Sequence, residues 1–398
     1  MSHAMLNPFI YGKPVPTGRF VGRQEQVRVL FSRLYNGEST AIVGEPHIGK
    51  TSLLRYMADE NTRREWIAQV FGQHVFVDMD CHLIPIDYGP PHLWAQVLES
   101  IQAFSTDAAV HDQCNLVIAN QYGSLTLERL FKLLDKREWR VVLMIDEFDV
   151  LLKHPTFGTA EFLGALRSFA TRTNGLVVVT ASRLSIAQMN RLSMRNNPYG
   201  SPFFNNMTEV RLTCLDMHEA EHLIDSTLQK VGNAIAFTPE DRQFMYTLAG
   251  RQPFLLQVAA ASLYDAMVTL AERKILGHGP IDLSRAYERA KILFQERSAA
   301  HFEDLTRALE ANSADVIQEH DRIDRNALRQ SLETCFDSDE LQALCFDIGV
   351  DYEDLGGDGL AAKALKLILY CQRRGLVDDL QRRCRVLRPH VNWRLENW

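Results

Sequence analysis

Along the first half of the chain, short runs that are apolar throughout alternate with stretches whose apolar residues recur at helical spacing. Thr40–Val43, Val75–Met79, Val141–Ile145 and Leu176–Thr180 are near-continuously apolar, the pattern of strands buried on both faces, as in a parallel sheet. Leu93–Phe104, Leu125–Leu134 and Ala160–Ala170 lie between them with helical periodicity. The alternation predicts an α/β sandwich with crossover helices. A last strand, Glu209–Leu212, ends it.

Beyond that strand the pattern is helical. Thr238-Pro239-Glu240-Asp241 is a helix start: a capping threonine, a proline in the first turn, then acids at the positive end of the dipole. Pro253–Lys274 and Leu283–Glu310 keep helical spacing, which predicts an all-helical lid. Residues 313–325 lose the periodicity and read as a linker. A compact helical module follows, with a capping-box start at Asp337 and Glu340 and a stripe of Leu341, Leu344, Cys345 and Ile348. Val377, Leu380, Cys384 and Leu387 form a similar stripe in the last helix, and Gly375 ends the one before. The expected organisation is an N-terminal arm (1–18), an α/β core with a parallel sheet and helices on both faces (19–215), a helical lid (216–312), the linker, a small all-α domain (326–392) and a tail (393–398). Met1–Ala4, ahead of a second methionine at Met5, resembles a cloning remnant.

Composition narrows the class. The 398 residues are 46% hydrophobic and 23% charged, which predicts two or three globular domains. A net charge of −7 gives no global basic field for nucleic acid or an anionic membrane surface. The seven cysteines include no Cys-x-x-Cys pair and read as small buried apolar residues, not a disulfide frame or zinc site. Neither a signal-peptide pattern nor an apolar stretch of membrane-spanning length stands out, so a cytoplasmic protein with no membrane partner is expected.

The sharpest chemical signal is Gly44-Glu45-Pro46-His47-Ile48-Gly49-Lys50-Thr51, a full G-x-x-x-x-G-K-[ST] loop that leaves an apolar strand and opens a helix continuing through Ser52. Backbone N–H groups of such a loop wrap phosphates, Lys50 reaches the β- and γ-phosphates, and the Thr51 hydroxyl ligates magnesium. Asp146 and Glu147 follow the apolar run Val141–Ile145. Asp146 is the expected magnesium partner and Glu147 the expected general base. Asp149 is either a third acid of the site or a surface residue. The run Leu176–Thr180 ends in Ala181-Ser182-Arg183; Arg183 either stabilises γ-phosphate charge or pairs with a surface acid. ATP or ADP with Mg2+ is the expected ligand set. Arg167 and Arg172 are candidate arginine fingers.

With these residues in place, the first 310 positions resemble the STAND branch of AAA+-type P-loop ATPases, related to NACHT and NB-ARC proteins. Phe20-Val21-Gly22-Arg23 resembles the segment that in this family lies against adenine. Thr180-Ala181-Ser182-Arg183 is similar to the family's strand ending in arginine. Ala249-Gly250-Arg251-Gln252-Pro253 resembles the lid segment whose proline packs near adenine. Gln24 and Gln26 stand where the family often has acids, Arg251 replaces a glycine, and no winged-helix segment follows the lid. Met217-His218-Glu219 invites comparison with a Met-His-Asp signature, but precedes the lid and is set aside. The end of the chain, from Leu328 to about Arg388, resembles a bacterial effector-associated domain, a small adaptor compared with death-fold modules. Glu340-Leu-x-x-Leu344-Cys345-Phe346-Asp347-Ile-Gly349-Val-Asp351-Tyr352 and Tyr370-Cys-Gln-Arg373-Arg374-Gly375 carry that match.

Charge in this module is separated. Acids crowd between Glu333 and Asp358 with no lysine or arginine, and bases dominate from Lys363 to Arg394. Separation of this kind suits head-to-tail contact with a copy or a similar partner domain, and is also what two solvated helix faces of opposite sign give. A basic patch on phosphate backbone is a third reading. The resemblances imply an ATPase switch that self-associates and recruits a separate effector, in bacterial defence or programmed cell death. A DNA-loading AAA+ ATPase is the alternative, opposed by the acidic balance and the missing winged helix. A passive scaffold is opposed by intact Lys50, Thr51, Asp146 and Glu147.

Overall fold

The structure, a computed structural model, describes residues 6–68, 73–196, 203–229, 235–275, 283–320, 325–355, 359–374 and 377–388. The expected N-terminal remnant, the tail, Asp358, Gly375 and residues 321–324 of the linker lie outside them. The chain divides into two compact units, Met1–Leu305 and Thr306–Trp398.

All five expected strands form one parallel sheet. They are β1 (Thr40–Val43), β2 (His74–Asp80), β3 (Arg140–Asp146), β4 (Leu176–Ser182) and β5 (Thr208–Arg211), in the spatial order β2-β3-β4-β1-β5. β1, β3 and β4 are buried almost throughout, as their unbroken apolar runs require of strands covered on both faces. The covering helices are α1 (Gln24–Tyr35), α2 (Lys50–Ala58), α3 (Glu60–Trp66), α4 (Pro90–Phe104), α5 (Ala108–Ala119), α6 (Ser124–Lys136), α7 (Phe148–Leu151), α8 (Ala160–Arg172) and α9 (Ile186–Asn196). Two apolar layers result. One packs Leu30, Leu53 and Met57 on Ile42, Val142 and Val177; the other packs Trp94, Phe131 and Phe169 on Ala41, Leu143 and Val178. Alternate residues of each strand thus feed opposite layers.

α10 (Met217–Gln229), α11 (Pro239–Ala249), α12 (Pro253–Ile275) and α13 (Leu283–His320) follow. Thr238 caps α11 in a capping box with Asp241, the start its sequence predicts. Pro253–Ala271 is long and apolar enough to cross a membrane, with a mean hydropathy of 1.5, contrary to the expectation that no such stretch exists. Leu256, Val258, Ala259, Ala260 and Leu263 on this helix are all fully buried in the lid. A helix that is apolar all round here marks the centre of a helical core.

Residues 6–18 of the expected arm are built into the same unit. Phe9 packs on Phe237 and Tyr264, with ring centroids 6.1 and 6.4 Å away. Asn7 Nδ2 donates to the Ala261 carbonyl and to Asp265, each at 2.8 Å. The segment then reaches α2, where Val15 N–H donates to Ser52 Oγ at 3.2 Å.

α13 overturns part of the linker reading, because residues 313–320 continue it as helix. No Gly or Pro interrupts Leu283–His320. Lost periodicity there means that no single face is apolar; it does not break the helix. The second unit contains α14 (Arg325–Cys335), α15 (Ser338–Asp347), α16 (Leu360–Arg374) and α17 (Val377–Leu387). Its core includes Leu341, Leu344, Cys345, Leu380 and Cys384, with Ile348 and Leu387 packed against it. These are the residues of the two expected stripes apart from Val377, whose side chain lies outside the described ones. The charge separation is partly neutralised within the module, where Asp347 pairs with Arg383 at 2.7 Å and Glu340 with Arg388 at 2.6 Å. All seven cysteines are free, and five are buried.

Phe9→Ala should remove about 3 kcal/mol of stability, the cost of emptying a buried aromatic site. Urea unfolding of the variant and the parent measures it; equal midpoints would mean that the arm is not an anchored part of this unit.

Candidate functional site

Strand order decides which side chains meet. β4 lies between β1 and β3, with Val43 paired to Ser182 and Ile145 to Thr180. The loop after β1, the acids after β3 and Arg183 after β4 therefore emerge side by side at the carboxyl ends of the strands, where open α/β sheets bind ligands.

The loop is set by close packing and unusual backbone. A Cβ on Gly44 would lie 2.8 Å from Ile48 Cγ2 and 2.9 Å from the Leu212 carbonyl oxygen, so only glycine fits there. Gly49, the N-cap of α2, takes φ 103°, which glycine adopts without strain. Glu45 and Pro46 lie at the loop surface, Glu45 exposed and Pro46 half-buried, while Ile48 is buried in the core beneath. Lys50 is buried, and its ammonium donates to the carbonyls of Gly44 at 2.9 Å and Glu45 at 3.0 Å. Thr51 and Ser52 are half-buried in the first turn of α2. Thr51 and Asp146 line one cavity of about 310 Å3.

Charge is concentrated and poorly solvated. Burial pulls the Lys50 ammonium below its usual range, against the opposing pull of Glu147, Asp149 and Asp146. Burial pushes the Glu147 carboxyl up, helped by Asp149 and Asp146 and resisted by Lys50 and His82. Asp146 accepts the Glu147 N–H on Oδ1 at 2.9 Å. Glu147 itself sits at φ 52°, a conformation that costs a non-glycine residue about 1–3 kcal/mol and clusters at functional sites.

Asp149 is not a surface residue. It is buried and holds Arg183, whose Nε and Nη2 donate to Oδ2 at 3.0 and 2.8 Å. Burial raises the Asp149 carboxyl, but Arg183's charge and hydrogen bonds outweigh it and hold the group below its usual value. Ser182 Oγ also donates to Asp149 and accepts the Leu184 N–H. Asp149 and Arg183 lie 34 positions apart, so no spacing rule joins them. The surface alternative therefore fails for both residues: Arg183 does pair with an acid, but that acid is buried.

The remaining candidates lie on the lid side. Val21 packs against the lid core. Gly22 has φ 77° and Arg23 φ 63°. The buried Arg23 guanidinium donates to the carbonyls of Thr213 and, at 3.4 Å, Ile48. Pro253 is the first residue of α12. His47 turns from the loop toward the lid, its ring centroid 4.9 Å from both Phe254 and His301. Sequence reasoning missed that contact, since a loop histidine carries no mark of its distant partners.

Arg172 ends α8 and pairs loosely with Glu128 at 3.7 Å. It lines a polar cavity of about 550 Å3 with Ser39 and Thr208, at the opposite end of the strands from Gly44–Thr51. Arg167 lines a narrow cleft with Phe148 and Phe204. Neither is brought to the loop of its own chain. Among the described residues, no group of three or more His, Cys, Asp or Glu side chains is arranged to hold a metal ion.

A phosphate loop after β1, an acid pair ending β3 and β4 inserted between those two strands define a P-loop NTPase. The AAA domain family matches residues 33–189, and effector-associated domain 7 matches residues 328–389. The chain thus carries an AAA+-type P-loop NTPase core, a nucleotide-binding module, followed by a C-terminal effector-associated domain. No curated protein matches the chain. Among solved structures, a Walker-type ATPase of Pyrococcus abyssi aligns with 88% of this chain and 96% of its own at 16% identity and a TM-score of 0.49. The Aeropyrum pernix ORC2 protein, in ADPNP–ADP complexes, aligns with 88% of this chain and 84% of its own at 12% identity and a TM-score of 0.47. The ORC1 protein of that organism, in complex with DNA, aligns with 92% and 85% at 14% identity and a TM-score of 0.40.

Asp149→Asn should cost about 1–3 kcal/mol, less than a wholly buried pair because Arg183 keeps some solvent contact. A depressed carboxyl gives stability that is full above its ordinary value of 3.8 and is lost as pH falls through the lower folded value. The gap between parent and variant should therefore close on acidification below about pH 4. Urea midpoints from pH 7 to pH 2.5 measure it; a gap that stays constant would deny Asp149 this role.

Proposed function

We propose that the chain is an ATP-hydrolysing regulatory switch whose nucleotide state governs recruitment of a separate effector protein by the C-terminal module. The observation that carries this reading is the meeting of the phosphate loop, Asp146–Glu147 and Arg183 in one buried, charged site on three adjacent strands. Loop N–H groups and Lys50 hold the phosphates of ATP or ADP, and Lys50 exchanges its loop carbonyls for phosphate oxygens. Val21, Gly22, Arg23 and Pro253 bound the nucleotide on the lid side.

Thr51 and Asp146 fit a magnesium ion: they share a cavity, and Asp146 has an oxygen beyond the one that accepts the Glu147 N–H. Such ions take one or two protein ligands and complete their shell with water and phosphate, so a dedicated cage is not needed. When bound, the ion neutralises phosphate charge. Glu147 takes the proton of the attacking water, a role suited to a carboxyl raised by burial. Arg183, oriented by Asp149, stabilises charge on the terminal phosphate. Self-association in the ATP state, followed by clustering of the C-terminal modules, is the proposed output, in a cytoplasmic setting of bacterial defence or programmed cell death.

Glu147→Gln should lower ATP turnover by about 10²-fold or more while ATP affinity stays within about threefold. Phosphate release and nucleotide titration on the full chain read the two quantities. Unchanged turnover would remove Glu147 from the role of base.

A further inference from the structure

Glu219, on the first lid helix, is engaged at both ends of its carboxylate. Asp216 Oδ1 accepts the Glu219 N–H at 2.7 Å, and Glu219 Oε2 accepts the Asp216 N–H at 3.0 Å. Together these close a capping box at the start of α10. The other oxygen, Oε1, leaves the helix and accepts the N–H of Arg23. The fit is tight on that side, since a Cβ on Gly22 would lie 2.9 Å from Oε1.

That N–H belongs to a strained turn. Gly22 and Arg23 both have positive φ, which for Arg23 must be held in place by its surroundings. Three contacts hold it. Glu219 takes its N–H. Phe20 stacks on Tyr56 of α2, with ring centroids 4.4 Å apart. The guanidinium is tethered to the Thr213 carbonyl and the Ile48 carbonyl. Ile48 lies within the phosphate loop, pressed against the position of Gly44. A continuous path therefore runs from a lid carboxylate, through one backbone N–H and one buried arginine, to the loop carbonyl.

We propose that Glu219 is a positioning residue for the nucleotide: it locks the Gly22–Arg23 turn so that Arg23 braces the phosphate loop, and thereby ties loop order to the seating of the lid. This rests on the reading of Gly44–Thr51 as the nucleotide site. It adds a lid residue that reaches the loop only through Arg23. When Glu219 withdraws, the buried Arg23 N–H loses its acceptor, the turn relaxes and the loop loses its brace. Nucleotide affinity then falls although every residue of the loop remains.

The test is calorimetric titration of the full chain with ADP, alongside thermal unfolding. Glu219→Ala should raise the Kd for ADP by roughly tenfold, the worth of one buried hydrogen bond to a strained turn. Glu219→Gln keeps one acceptor oxygen of the same reach; turned to the Arg23 N–H it gives up only the contact to the Asp216 N–H, and affinity should stay within about threefold of the parent. Asp216→Ala breaks the capping box without touching Arg23. It should lower the unfolding temperature as Glu219→Ala does, yet leave the Kd within about twofold. If Glu219→Ala fails to fold, Glu219→Asp keeps the charge but is a methylene too short, and should weaken ADP in the same way.

Equal loss of affinity in Asp216→Ala and Glu219→Ala would overturn the proposal, because the effect would then run through helix capping alone. So would parent-like affinity in Glu219→Ala or Glu219→Asp. Failure of the parent itself to bind ADP would instead overturn the nucleotide site, and the positioning role with it.

Discussion

Charge held out of water at the ends of β1, β3 and β4 is the constraint around which this molecule is arranged. Lys50, Asp146 and Asp149 are buried and Glu147 is largely so. An isolated charge in such a place is costly unless paired and hydrogen-bonded. Each group finds a different answer. Lys50 leans on loop carbonyls, Asp149 takes Arg183, and Asp146 accepts the N–H of its neighbour. Among the described residues Glu147 has no salt-bridge partner closer than the His82 ring at 3.9 Å, and burial pushes its carboxyl up against the pull of Lys50. The group left least satisfied is the one assigned the proton chemistry.

Support for this cluster comes from both directions. Beneath it, two apolar layers fix the strands that deliver the charges. Beside it, the lid touches the loop through His47 on Phe254 and His301 and reaches the Gly22–Arg23 turn through Glu219. The N-terminal segment joins α12 to α2 by separate contacts. A nucleotide-binding loop that shares contacts with a lid is suited to report its occupancy, because a ligand shifts an equilibrium only through differential contacts with its states.

Much of this was legible in the sequence. The strands were visible because burial on both faces leaves unbroken apolar runs, as in Val141–Ile145. The phosphate loop was visible because its glycines and lysine are forced by geometry. The adaptor stripes at Leu341–Ile348 and Leu380–Leu387 followed from helical period. What was hidden depends on partners distant in sequence. Nothing near Asp149 announces Arg183, and nothing near Phe9 announces Phe237. Asp216-x-x-Glu219 before an apolar run has the form of a capping box, but that form says nothing of the second partner of Glu219, the Arg23 N–H. The helical continuation of α13 was masked because periodicity reports a packing face, while helix persistence needs only the absence of breakers.

The central claim is that nucleotide changes the state of the whole protein. Light scattering on the purified full chain, with ADP and then with a non-hydrolysable ATP analogue and magnesium, tests it most directly, with Lys50→Ala run alongside. The account predicts growth to a defined larger mass with the analogue alone, absent in the variant. A single mass under every condition would contradict nucleotide-driven assembly.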